Sequence, residues 1–408
     1  MQPMQNNRAN SRALSIDALR GLALFGILAV NIQSFVWGLS GPTLGILDAD
    51  SSTADSVTVF LTALLLEYKF YPIFCFCFGY GFAVQTRRWL AAKVNAYERF
   101  GKRLNVMLVF GAVHGIFFYF GDILSRYAVT GYILRRYIGY GPRRLLGAAK
   151  FWLRVTVIVT VFAALLSFSA SFFLSTSPTD VVSREDAIIA EINKSIGLYT
   201  TGNYGEITAQ RFQNYLEITL GFVFYIPQLL LIFLLGAFTA KMGWLAQPRA
   251  HYARWKKILL IALMVGIPLN CFYAWGAMEL ARDPGAAPGF LHSALSGFIP
   301  ILAFAYIACI ALAATSKLGE QVLGVFAAAG KMAFTNYLLQ SLIVSTLLYG
   351  YGFALGDDLT QFQLWVLAVS IYTMQLVFSN LYLRYFSIGP MEILWRKLSA
   401  SADKNIYP

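Results

Sequence analysis

The stretch Arg12-Ala-Leu-Ser-Ile-Asp17-Ala-Leu-Arg20-Gly21 opens an apolar segment that continues to Trp37. Asp17 and Arg20 are three residues apart, so on a helix they are neighbours on one face. A charged side chain in a bilayer costs about 2.5–3.5 kcal/mol on insertion scales and marks a functional site by default. Asn31 follows deeper in the same segment. The segment therefore predicts an uncleaved first membrane helix that carries a polar site.

The composition is that of a polytopic membrane protein. Of the 408 residues, 58% are hydrophobic and 13% are charged, whereas soluble domains carry about 25% charged residues. The pattern predicts an all-α membrane helix bundle of about ten transmembrane helices, each able to cross about 30 Å of hydrocarbon. The predicted spans are residues 14–37, 70–90, 104–121, 123–139, 151–174, 216–240, 257–278, 291–314, 325–349 and 362–384. Residues 55–68 are too short to span alone and predict a re-entrant or interfacial helix.

The distribution of basic residues predicts the orientation of these spans. When the N-terminus is placed inside, 26 of the 32 Lys and Arg residues fall on the cytoplasmic side. This bias predicts that both termini are cytoplasmic, and it explains the net charge of +12 without a nucleic-acid partner. We predict a single transmembrane domain, residues 1–398, with an outer loop at 175–214 and a short cytoplasmic tail at 399–408.

Three polar residues at membrane depth are the candidate catalytic residues: Asn31, His114 and Asp122. A neutral imidazole at His114 can accept a proton, and the Asn31 amide can donate a hydrogen bond to an oxygen that gains charge. Each residue also has a structural interpretation. Asn31 can join helices, His114 can bond a backbone carbonyl, and Asp122 can cap the fourth helix rather than assist His114.

Other polar residues form two candidate binding groups. The candidate substrate-binding residues are Glu67, Lys69, Arg126, Tyr127, Asn336 and Gln340. Asn336 and Gln340 are four residues apart on one helix face, and helix packing alone explains them equally well. The candidate cofactor-binding residues are Arg12, Asp17, Arg20, Arg135, Arg136, Arg143, Arg144 and Arg396. The arginines can bind phosphate, and Asp17 with Arg12 and Arg20 would hold the first helix in place. Because Cys75 and Cys77 point in different directions on a helix, no metal site is expected.

Several motifs occur in an order that resembles the YeiB family of bacterial inner-membrane proteins, a domain of unknown function. They are Arg12-x4-Asp17-x2-Arg20-Gly21 with Asn31, Lys69-Phe-Tyr with Phe78-Gly-Tyr-Gly-Phe, His114 with Gly121-Asp122-Ile-Leu-x2-Tyr127-Ala, Thr335-Asn336-Tyr337-x2-Gln340-Ser341, and Gly389-Pro390-x4-Trp395-Arg396. The resemblance implies a multi-pass protein of the bacterial inner (cytoplasmic) membrane.

The first-helix pattern is also similar to the wider transmembrane acyltransferases, which include the heparan N-acetyltransferases and the acyltransferase-three enzymes. Those enzymes pass an acyl group from cytoplasmic acyl-CoA to an outer-face acceptor, usually a sugar. The heparan enzymes carry an asparagine at the place of Asn31, and their catalytic histidine follows the first helix. Residues 38–53 here contain no histidine, so His114 becomes the expected substitute.

Two functions follow as expectations. The first is a membrane acyltransferase that uses acyl-CoA as co-substrate. It would move an acyl group, with acetyl as the first expectation, to a glycan or lipid at the outer face. The second is a small-molecule or lipid transporter in which His114 and Asp122 relay protons. A transporter needs helices broken near the midplane, and only Pro227 and Pro268 indicate such breaks, which favours the enzyme. Membrane lipids are expected partners, and a homo-oligomer is left open.

Overall fold

The computed structural model describes residues 2–39, 46–47, 50–174, 178–282 and 295–400, without the side chains of 2–13, 167–168, 170–174 and 178–188. This part of the chain is all-helical and contains no strand. Its first eight α-helices are α1 Gln2–Trp37, α2 Thr53–Leu65, α3 Phe70–Ala91, α4 Ala96–Phe117, α5 Leu124–Leu134, α6 Pro142–Leu174, α7 Pro178–Thr201 and α8 Tyr204–Gly221. The next seven are α9 Ile226–Met242, α10 Tyr252–Arg282, α11 Ile301–Ala313, α12 Lys317–Lys331, α13 Ala333–Leu348, α14 Gln361–Tyr382 and α15 Pro390–Ser399.

Six segments in the described part are long and apolar enough to cross a membrane, or seven if one bent helix pair counts as a span. They are Leu14–Trp37, Thr53–Ala91, Pro142–Leu166, Tyr204–Met242, Arg249–Arg282 and Gln361–Tyr382, with the bent pair Lys317–Lys331 and Ala333–Leu348. These helices indicate a multi-pass membrane protein. The ten predicted spans are thus reproduced only in part, and the helices leave the orientation of the termini open.

The predicted spans 104–121 and 123–139 are not two full spans. They form a helical hairpin of α4 and α5, which pack against each other. Helix α4 begins at the Asn95 cap, and its first half carries four charged residues, Glu98 to Arg103. Helix α5 has 11 residues and is therefore about 16 Å long, which is half of the hydrocarbon layer. Local charge and a short second helix explain the difference from the prediction.

The predicted span 325–349 is broken. Helices α12 and α13 meet at Met332 with a bend of 71°. The prolines expected to mark breaks do not cause one: Pro227 lies in the first turn of α9, where no backbone donor is needed, and Pro268 lies inside the continuous helix α10. The predicted span 291–314 is represented by α11, which has 13 residues, and residues 283–294 lie outside the described part.

Helix α1 lies at the centre of one half of the bundle, where it packs against α3, α12, α13 and α14. Helices α1 and α12 approach each other closely at Gly21 and Gly330. A Cβ atom on Gly21 would overlap the Phe326 carbonyl, and one on Gly330 would overlap the Asp17 carbonyl. Small residues allow such contact between membrane helices. The contact brings Arg20 of α1 beside the α12–α13 break.

Candidate functional site

Three buried side chains form a hydrogen-bonded chain at the α4–α5 hairpin. His114 Nδ1 lies 2.9 Å from Asp122 Oδ1, and His114 Nε2 lies 2.9 Å from Ser341 Oγ. His114 is on α4, Asp122 is in the turn before α5, and Ser341 is on α13. Their exposed fractions are 1%, 0% and 4%. We call Asp122, His114 and Ser341 the relay.

Asp122 performs both roles that the sequence presented as alternatives. Its Oδ1 faces His114, while its Oδ2 accepts hydrogen bonds from the Ser125 backbone N–H and hydroxyl, both at 2.8 Å. The carboxylate therefore holds the first turn of α5 and orients the imidazole. In a neutral His114, beside a carboxylate that only accepts, the proton lies on Nδ1 and the lone pair lies on Nε2. The Ser341 hydroxyl then donates to Nε2.

A glycine allows the hairpin to close around the relay. Gly111 lies one turn before His114 on α4, and a Cβ atom there would overlap the Ser125 backbone nitrogen and lie 2.7 Å from Asp122 Oδ2. Any larger residue would push α5 away from α4. The distance between Asp122 and His114 therefore depends on the absence of a side chain at residue 111.

A cavity of about 310 Å³ extends from the charged end of the bundle towards the relay. Its charged lining residues are Arg20, Arg103, Lys331, Glu392 and Arg396, and we call this part of the lining the basic mouth. Aromatic side chains line the walls: Phe74, Phe78, Phe82, Phe100, Phe110, Tyr127, Phe334 and Trp395. Tyr337 lies at the inner end, with its ring centroid 4.7 Å from that of His114. The relay is therefore directly behind this tyrosine.

The basic mouth has an excess of positive charge. Among the described residues its one lining carboxylate is Glu392, which caps α13. Oε1 accepts from the backbone N–H of Phe334 at 2.8 Å, and Oε2 accepts from the Thr335 hydroxyl at 2.6 Å. A carboxylate at a helix N-terminus is stabilised by the helix dipole. Arg20 also pairs with Asp17 at 3.5 Å. Four lining cations against one capping carboxylate favour an anionic ligand.

Two polar atoms among the wall residues add to this character. Gln85 Oε1 and Trp395 Nε1 are buried and have no hydrogen-bond partner among the described residues. The Arg103 guanidinium lies 4.1 Å from the centre of the Trp395 ring, which joins α15 to the mouth. A buried donor or acceptor normally has a partner, so the wall is suited to a ligand with polar groups along its length.

The relay lies deep relative to the basic mouth. Arg103 and His114 are eleven residues apart on α4, which is about 16 Å along the helix axis. That distance is about half of the 30 Å hydrocarbon layer. Past the relay, Phe35 stacks on Tyr119 at 4.5 Å and Tyr199 stacks on Tyr349 at 4.9 Å. We call these four rings the aromatic block.

The structure brings some predicted site residues together. His114 and Asp122 meet, Arg20, Tyr127 and Arg396 line the cavity, and Asp17 pairs with Arg20. Asn31 is half-buried on α1 and does not line the cavity. The Arg12 side chain lies outside the described part of the chain.

Other predicted phosphate ligands lie elsewhere. The Arg135 guanidinium stacks on the Tyr97 ring at 3.4 Å, and Arg136, Arg143 and Arg144 are exposed residues that do not line the cavity. These arginines surround the short segment between α5 and α6. The basic mouth is instead built from α1, α4, α12 and α15, which are distant in sequence.

The predicted substrate residues other than Tyr127 have separate partners. Lys69 donates to the Ala63 carbonyl and lies 5.3 Å from the centre of the Tyr273 ring, and Glu67 also contacts Tyr273. Arg126 faces the Phe222 ring at 5.8 Å.

Asn336 and Gln340 bond to α14, with Asn336 donating to Ser379 at 2.9 Å and Gln340 donating to Gln375 at 2.8 Å. For this pair the packing interpretation describes the observed contacts. Both side chains connect α13 to α14. None of their hydrogen-bond partners lines the cavity.

Sequence reasoning missed Ser341, Tyr337, Arg103, Lys331 and Glu392 as site residues. Tyr337 and Ser341 are four residues apart and therefore share a face of α13, a spacing that was visible in the sequence. Arg103 and Lys331 gave no such signal, because neither is near the other in the chain. Only the packing of α4 against α15 and of α1 against α12 brings them to one mouth.

Comparisons with known proteins find similar proteins but no described activity. Residues 239–402 match the family described as protein of unknown function (DUF418). The chain is 28% identical to the uncharacterized protein YxaH of Bacillus subtilis (strain 168), over 97% of this chain and 96% of that protein. It is 29% identical to the uncharacterized protein YeiB of Escherichia coli (strain K12), over 96% of this chain and 97% of that protein. No solved structure matches.

Proposed function

We propose that this chain, which belongs to the YeiB-like DUF418 family, is a membrane-embedded acyltransferase that uses acyl-CoA. The observation that supports the proposal is the relay, which lies behind Tyr337, a lining residue of a cavity with a basic mouth. A proton acceptor held by a carboxylate, next to a hydroxyl group, is the arrangement that acyl transfer needs. The acyl group would be an acetyl or a longer chain.

The cavity suits the chemistry of acyl-CoA. Arg20, Arg103, Lys331 and Arg396 would bind its phosphates, since guanidinium groups bind phosphate oxygens in a bidentate geometry. The aromatic walls would surround the less polar arm, and Gln85 and Trp395 would bond its amides. This proposal replaces the arginines near α6 as the docking site. A contact of Asn31 with the thioester carbonyl stays a prediction.

In the reaction, His114 Nε2 would act as the general base. It would take the proton of an attacking hydroxyl or amine while Asp122 stabilises the imidazolium. The carbonyl carbon of the thioester would gain a bond to the nucleophile and lose its bond to sulfur. The departing thiolate would take the proton from His114. The relay thus supplies both the base and the acid of one transfer.

We also propose the orientation and location that such a reaction needs. With the basic mouth in the cytoplasm, where acyl-CoA is made, the distribution of Lys and Arg agrees with the positive-inside rule. Both termini would then be cytoplasmic, and the acceptor would be a glycan or lipid at the outer face of a bacterial inner membrane.

Binding of acetyl-CoA to the purified protein in detergent, measured by calorimetry, tests the proposal. Arg103→Gln should weaken binding about tenfold or more, because it removes a hydrogen bond between charged groups. Arg136→Gln is the matched control, since Arg136 is exposed and does not line the cavity. Saturable binding that free CoA competes away is the expected result. Equal loss in both variants, or no binding of acetyl-CoA at all, would contradict the assignment.

One observation favours transport as a second candidate function. The 71° break between α12 and α13 lies beside the cavity, and discontinuous helices form substrate sites in transporters. The alternative predicts substrate flux in proteoliposomes that follows a proton gradient and is lost in His114→Ala. However, the N-terminus of α13 is already capped by Glu392, so the break does not offer a free anion site.

A further inference from the structure

We infer that Ser341 is a catalytic nucleophile that carries the acyl group as an ester between donor and acceptor. This inference rests on the proposed acyl-CoA-dependent function and adds a covalent intermediate to it. Its basis is the order of groups in the relay, in which a hydroxyl, an imidazole and a carboxylate are joined at 2.9 Å and 2.9 Å. A serine hydroxyl next to an oriented base is the usual signature of an activated nucleophile.

The hydrogen-bond directions agree with this role. Asp122 accepts from His114, so the lone pair of Nε2 points at Ser341 Oγ. The hydroxyl proton is therefore already directed at the base. Ser345, one turn further along α13, is as buried but donates to the Leu342 carbonyl instead. The two serines differ in the partner of the hydroxyl rather than in exposure.

Tyr337 separates Ser341 from the cavity and provides the route to it. The two residues are four apart, and helical side chains lean towards the N-terminus, so Ser341 points to the turn that carries Tyr337. The Tyr337 hydroxyl accepts one long bond, from the Ile123 N–H at 3.4 Å. Rotation of the ring would open the end of the cavity to Ser341 and His114 together.

A covalent carrier also fits the size of the cavity and its position relative to the relay. In the described part, the lining residues end at Tyr337 and Ile123, and the aromatic block lies past the relay. A volume of about 310 Å³ is at the low end of sites for a single small molecule. Donor and acceptor would therefore meet the relay in turn. An ester on Ser341 would hold the acyl group while CoA leaves.

Both half-reactions balance. In the first, Ser341 Oγ bonds to the acyl carbon, the carbon–sulfur bond breaks, and the hydroxyl proton passes through His114 Nε2 to the CoA thiolate. In the second, an acceptor hydroxyl bonds to the acyl carbon and gives its proton to His114. The ester bond to Ser341 then breaks, and its oxygen takes that proton. No oxidant, reductant or metal takes part.

The test is the transfer of radiolabelled acetyl groups from acetyl-CoA to the purified full-length chain without an acceptor. The chain is denatured and washed, and the labelled peptide is identified by mass spectrometry. We expect a label that hydroxylamine removes, on the peptide that contains Ser341. Ser341→Ala should abolish it, Ser345→Ala should retain it, and His114→Ala should slow labelling at least about 100-fold, as for the loss of a general base.

Two further measurements separate the possible failures. Ser341→Cys should take the label as a thioester, which shows that the site is intact even if Ser341→Ala folds poorly. Acetyl-CoA binding by Ser341→Ala should stay within threefold of the unsubstituted protein. Binding without a label, or a label on another residue, would overturn the covalent role and leave direct transfer. If the protein neither binds acetyl-CoA nor takes up a label, the proposed acyltransferase function itself is overturned.

Discussion

Replacement of Asp122 by Asn tests the proton arrangement of the relay directly. The carboxylate has two accepting oxygens, one towards His114 Nδ1 and one towards the N-terminus of α5. An amide has one accepting oxygen and one donating nitrogen. The two N-terminal donors of α5, from the Ser125 backbone and hydroxyl, will hold the oxygen, so the NH₂ group will face His114. Nδ1 must then accept, and the ring proton moves to Nε2.

The consequences of this tautomer change can be estimated. With a proton on Nε2, His114 donates to Ser341 and can no longer take the proton of its hydroxyl. The equivalent change in a serine–histidine–aspartate triad lowers turnover by about 10⁴, so we expect labelling of Ser341 to slow by about 10²–10⁴. The loss of one charged hydrogen-bond partner for the α5 cap should also destabilise the fold by about 1.5–3 kcal/mol.

The assay has a readout that does not depend on activity. The chain has three histidines, so ¹⁵N chemical shifts of the imidazole nitrogens can be assigned with His251 and His114 variants. Protonated Nδ1 is expected for His114 in the unsubstituted protein, and protonated Nε2 in Asp122→Asn. Ser125→Ala is the matched control, because it removes one cap donor but leaves the His114 contact. The role given to Asp122 is wrong if His114 keeps its proton on Nδ1 in Asp122→Asn. It is also wrong if Ser341 in this variant is labelled at a rate within threefold of that in the unsubstituted protein.

Three further predictions concern the structure around the relay. Glu392→Gln removes the charged cap of α13 and should lower the free energy of unfolding by about 1 kcal/mol. Glu98→Gln is the control: Glu98 forms an exposed pair with Lys102, and its replacement should change that free energy by less than about 0.5 kcal/mol. Thermal unfolding in detergent measures both variants. Gly111→Ala should cost about 1–3 kcal/mol by forcing α4 and α5 apart, but Gly147→Ala, with open space around it, should be neutral or slightly stabilising. Tyr337→Ala should speed labelling of Ser341 by opening the cavity, and unchanged labelling would argue against the ring as the barrier.

The sequence was enough to find the two titratable members of the relay, His114 and Asp122. His114 and Asp122 are titratable residues in apolar segments, which are rare unless they have a function, and the structure joins them. Ser341 could not be singled out in the same way, because a serine in a membrane helix can satisfy its hydroxyl on its own backbone. Ser345 does so. The difference between the two serines depends on whether another helix presents an acceptor, which is a tertiary property.

The basic mouth shows the same limit for charges. Arg135, Arg136, Arg143 and Arg144 are close together in the sequence, and they were expected to bind phosphate as bases of the predicted cytoplasmic side. Exposed arginines in a loop are explained by topology alone. The cations that line the cavity are single residues on four helices, and their proximity follows from close helix contacts such as Gly21 with Gly330. Clustering in sequence therefore did not identify the cations that line the cavity.

The intramembrane polar residues separate into two kinds when their partners are compared. Asn336, Gln340 and Gln375 are neutral amides whose bonds connect α13 to α14, as expected for residues that hold helices together. The relay contains a carboxylate and an imidazole, and a buried pair of this kind is often replaced by apolar residues without loss of stability. If packing were the only role of these positions, apolar side chains would stabilise the bundle at least as well. A titratable pair, held at full burial beside a cavity with a cationic mouth, is better explained by chemistry on a ligand than by the stability of the bundle.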